Sequence, residues 1–109
     1  MKIISINDIP INPNPHNVQA KKIYDSEHAL AVHLTIKPGE SLKRHITPVD
    51  VFFYILSGKG TLKIGDSLHR IAAGDFIHVP RHTDHTMITD LGSDLKILFI
   101  FSGKTVIDH

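Results

Sequence analysis

At 109 residues the chain has the length of one domain and enough of it to bury a core without covalent staples. Twelve Lys and Arg against eleven Asp and Glu leave a formal charge of +1. That balance provides no electrostatic footprint for nucleic acid or an anionic membrane surface, and no apolar run has the length of a membrane span. Cysteine is absent, which rules out disulfides and thiolate metal sites. Nine histidines are the one compositional oddity, and they make imidazole chemistry the first thing to look for.

At the N-terminus, Asn7 and Asp8 interrupt the apolar residues too early for a signal-peptide core, so the expected location is the cytoplasm. Residues 2–6 read as a strand. Residues 10–17, with three prolines and three asparagines, read as an extended arm. Residues 18–24 and 25–31 are the two stretches where a helix stays open, although neither carries a cap with helical periodicity. Segments rich in β-branched and aromatic residues follow at 28–36, 51–56, 61–64, 67–71, 76–79, 85–89 and 95–101. Glycine turns at Gly39, Gly58, Gly60, Gly65, Gly74 and Gly92 punctuate them. Several alternate apolar with polar residues, as in Thr61-Leu62-Lys63-Ile64, which suits a strand with one buried face. Short strands at this spacing predict an all-β sandwich or barrel occupying residues 1–109 as a single domain. Residues 104–109 are either a last edge strand or a fraying tail.

Two glycine-anchored blocks stand out. The first, residues 38–58, contains Gly39, His45, Thr47, Asp50, Val51 and Gly58. The second, residues 74–89, contains Gly74, Pro80, His82, His85 and Thr89. Together they resemble the paired motifs of the cupin superfamily. The resemblance implies a jelly-roll β-barrel, also called a double-stranded β-helix. In that family two first-motif histidines, a glutamate and a second-motif histidine hold a divalent metal. Here His45 and His85 fall on two of those four positions. The family's second histidine falls on Thr47 and its glutamate on Val51, with Asp50 one residue short. The second-motif glycine falls on His82 and the asparagine on Thr89.

His45 and Thr47 would share one strand face, because residues two apart point the same way. Asp50 cannot simply stand in for the glutamate, since a one-residue offset turns the side chain to the other face unless a bulge intervenes. The resemblance thus implies a metal on His45 and His85; the histidines gathered near the second motif make His82 the candidate third donor, with zinc, iron, nickel and manganese all compatible with imidazole donors. Thr47, His78 and Asp50 are candidates for contacting a small organic ligand. Arg44 and Arg81 are candidates for holding a carboxylate at the barrel mouth.

Three functions remain open on these residues. One is a metal-dependent enzyme acting on a small molecule by oxygenation or isomerisation. Another is a metal-free module that binds a small polar ligand through His45, Thr47 and His85. The last is a non-catalytic assembly domain. A homodimer is expected in each case, through residues 2–6 or through the face that carries Phe52 and Tyr54.

Overall fold

A computed structural model describes residues 1–14 and 18–103, with His45 described by its backbone alone. Nine strands form: β1 (Gln19–Asp25), β2 (Leu30–Ile36), β3 (Ser41–His45), β4 (Val51–Ser57), β5 (Lys59–Ile64), β6 (Ser67–Ala72), β7 (Phe76–Val79), β8 (His85–Thr89) and β9 (Leu95–Phe101). They build a five-stranded sheet in the order β1-β2-β9-β4-β7 and a four-stranded sheet in the order β3-β8-β5-β6. All pairings are antiparallel. This is a jelly roll: neighbours in sequence repeatedly cross to opposite sheets, and β2 pairs with β9 near the other end of the chain.

Side-chain alternation closes the barrel. In β2, Leu30, Val32, Leu34 and Ile36 are buried, while the residues between them are only partly covered. In β4 and β9 the same period buries Val51, Phe53 and Ile55 against Leu95, Ile97, Phe99 and Phe101. The smaller sheet answers with Leu42, Leu62, Ile71 and Met87. Phe53 and Phe99 stack in the middle with ring centroids 4.3 Å apart. Burying such aromatic pairs stabilises the interior beyond their area alone.

The two stretches where a helix was open resolve into extended structure. Residues 19–25 form β1, an added edge on β2 whose register shifts between Lys22 and Tyr24. That bulge scrambles the apolar alternation, so the local pattern matched neither strand nor helix cleanly. Residues 26–29 are a hairpin turn. The Ser26 hydroxyl accepts the backbone N–H groups of His28 and Ala29, at 3.1 and 3.3 Å. Residues 2–6 are not a strand, and the chain there leads into one 3-10 turn at Ile6–Asp8. The 104–109 expectation lies outside the described residues.

The motif glycines have backbone causes. Gly58 turns the chain from β4 into β5 with φ of +90°, and a Cβ there would collide with the backbone carbonyl of Asp94. Only glycine meets both demands.

Candidate functional site

Strand β8 carries His85 on its inner face, with 2% of the residue exposed. Across the β3–β8 ladder, His85 is the direct partner of His45. The His85 ring lies 5.6 Å from Phe53, tilted by 57°. Its Nδ1 lies 3.1 Å from the Thr83 carbonyl. A carbonyl can only accept, so Nδ1 carries the proton and Nε2 the lone pair. Burial holds the imidazole pKa below its ordinary 6.5, although the Thr83 contact and the nearby Asp84 charge oppose the shift. The group is thus a neutral imidazole in an apolar wall.

Thr47 is also buried, at 1% exposed. Its hydroxyl donates to the Val49 carbonyl at 2.8 Å, closing the turn around Pro48. Its own carbonyl accepts the backbone N–H of His82 at 2.9 Å. His82 has φ of +60° and is the one described non-glycine residue in the left-handed region. The second-motif glycine of the family falls on this position, which explains why a glycine suits it. The His82 side chain is exposed.

Asp50 faces away from the core, on the same side of β4 as Phe52 and Tyr54. Its Oδ2 is 3.1 Å from His78 Nε2, and its Oδ1 accepts from Arg81 N at 3.0 Å and from Arg81 Nε at 3.3 Å. The Arg81 backbone N–H, then His78, then the guanidinium hold its carboxyl below the usual range. His78 stacks on Phe52 at 5.0 Å. Asp50, His78 and Arg81 therefore form a latch on the outer surface that ties β4 to the loop before β8. Arg44 pairs with Asp84 at 2.7 Å. His33 also faces outward, in agreement with the period-two burial of β2.

The described donors do not make a divalent metal centre. The Thr47 hydroxyl is committed to its own turn, Val51 offers only carbon at the glutamate position, and Asp50 is engaged outside. Among the described residues, no three of His, Cys, Asp and Glu converge. Two imidazoles without a carboxylate supply too little charge and too few ligands for a tight site.

The feature that sequence reasoning missed is a cleft of about 410 Å³ at the open side of the sandwich, between β6 and β7, the edge strands of the two sheets. Leu62, Ile64, Ile71 and Ile77 give it apolar walls, with His69 and His78 among its polar residues. Ile64 is the cross-strand partner of His85, and Ile77 that of Phe53. His69 was legible in principle, since it lies two residues before buried Ile71 and shares its face.

Among the described residues, no helix is long and apolar enough to cross a membrane. No curated protein matches the sequence. Solved structures match the fold closely at low identity. The polyketide cyclase RemF from Streptomyces resistomycificus superposes with a TM-score of 0.86 at 18% identity, covering 100% of this chain and 84% of that one. A predicted oxalate decarboxylase from Thermotoga maritima gives 0.86 at 19%, covering 94% and 100%. KdgF from Halomonas sp. gives 0.82 at 17%, covering 95% and 96%. The family model described as "Cupin domain" matches residues 32–101, from the second strand to the end of the last. Jelly-roll order, paired motifs and that match agree, and the chain belongs to the cupin domain family.

Proposed function

We propose that this protein binds a small organic ligand in the inter-sheet cleft, without needing a metal to do so. The observation that carries the reading is the cleft itself: about 410 Å³, with isoleucine and leucine walls and with His69 and His78 among its polar residues. Sites of this size that combine apolar walls with a few convergent polar groups are the usual receptacles for small molecules. His69, at the cleft, would set orientation. The structural neighbours named for polyketide cyclisation and oxalate decarboxylation act on small organic molecules, but by unrelated reactions, so the fold does not choose a reaction. A cytoplasmic location and a homodimer belong to the same reading.

A second reading rests on the direct His45–His85 pairing across β3 and β8. In it, these two residues with His82 would hold a zinc, iron, nickel or manganese ion, which would supply Lewis-acid chemistry.

One experiment separates the two. Small cyclic and aromatic organic acids are screened by methyl NMR with and without EDTA, beside elemental analysis of untagged wild type and His85→Ala. The first reading expects saturable shifts at Ile64, Ile71 and Ile77 that survive EDTA and vanish in Ile71→Trp, which fills the cleft. Shifts that EDTA abolishes, with near-stoichiometric metal lost in His85→Ala, would overturn it in favour of the second.

A further inference from the structure

A different cavity lies on the outer face of the five-stranded sheet. It measures about 250 Å³ and is lined by Gln19, Lys21, His33, Thr35 and Lys96 together with Ile6, Asn7 and Asp94. The strand register explains the gathering. Lys21 is directly opposite His33, Gln19 is opposite Thr35, and Thr35 is opposite Lys96. Side chains from three adjacent strands therefore project to one spot. Phe52, Tyr54, Leu98 and Ile100 lie on the other half of that face.

We propose that this cavity is a binding site for a small oxyanion, either phosphate or a carboxylate. Two ammonium groups, an imidazole, a hydroxyl and two amide side chains all offer donors, and Asp94 offsets only one of the two lysine charges. Lys21 Nζ donates to the Ile6 carbonyl at 3.0 Å, which orients the lysine and fixes the N-terminal segment as a wall. Lys96 makes no ion pair among the described residues. An anion would complete the charge balance through charge-assisted hydrogen bonds. Burial, then Lys21, then Lys96 lower the His33 pKa, as befits an imidazole held among cations.

The test is titration of inorganic phosphate, with acetate in parallel, followed through the ring signals of His33 and the backbone amide of Thr35. The expected result is a saturable shift, weakened at least about tenfold in Lys96→Met and unchanged in Lys63→Met on the other sheet. Bound anion should also raise the His33 titration midpoint, in the same sense as the Asp94 carboxylate and against the lowering by Lys21 and Lys96. Saturation with phosphate alone assigns the site to phosphate groups, and saturation with both assigns it to small oxyanions in general. Shifts that stay linear, or that match in wild type and Lys96→Met, overturn the proposal. Lys96 is exposed, so its replacement leaves the fold intact, and melting curves verify this.

Discussion

Replacing His82 with glycine should stabilise this protein while removing an imidazole. His82 holds φ of +60°, where an L residue carries about 1–2 kcal/mol of steric cost. Glycine lifts that cost, but its freer unfolded chain takes back about 0.4–1 kcal/mol. The exposed ring makes no ion pair among the described residues, and the backbone N–H bond to Thr47 is kept. The net gain should be about 0.5–1 kcal/mol, or roughly 2–5 °C in Tm for a domain of this size. Urea denaturation with an unchanged m-value measures it. Metal content measured on the same samples tells strain from ligation. A variant that is less stable by more than about 1 kcal/mol would refute the strain argument, because the imidazole would then be making favourable contacts. A gain in stability together with lost metal would mean that the left-handed histidine is kept for ligation.

Two further predictions concern pH and assembly. The His85 pKa is lowered in the folded state, so the unfolded chain takes up the proton first as pH falls below 6.5. Stability is therefore complete above that value and declines below it, by at most about 1.4 kcal/mol per pH unit for one such histidine. His33 acts with the same sign. The decline should be shallower in His85→Gln than in wild type, and equal slopes would assign it to other groups. On the outer face of β4 and β7, Tyr54 is 42% and Phe76 65% exposed, beside Phe52 stacked on Phe76 at 5.8 Å. If a second copy covers this patch, sedimentation should show a dimer in wild type and a monomer in Phe76→Lys. Identical sedimentation of both would place any dimer contact elsewhere.

Most strands were legible because their inner residues alternate with outer ones and glycines mark the turns. β1 was not, since a bulge breaks its period and its pairing with β2 is decided across the hairpin. The histidines were legible as a set, but not by direction. His33 and His78 face outward and His85 inward because each inherits the parity of its own strand. Asp50 faces outward, away from the core. Its actual partners, His78 and Arg81, meet it only because β7 packs beside β4. By itself the sequence determined most strands of the motif region, though not β3, together with the turn positions and the place of His45 and His85 in one family pattern. Those follow from local period and local backbone demands. Only the tertiary structure decided where the cleft lies and which polar side chains share a cavity. Both are made where edges of different sheets, or three adjacent strands, come together from distant parts of the chain.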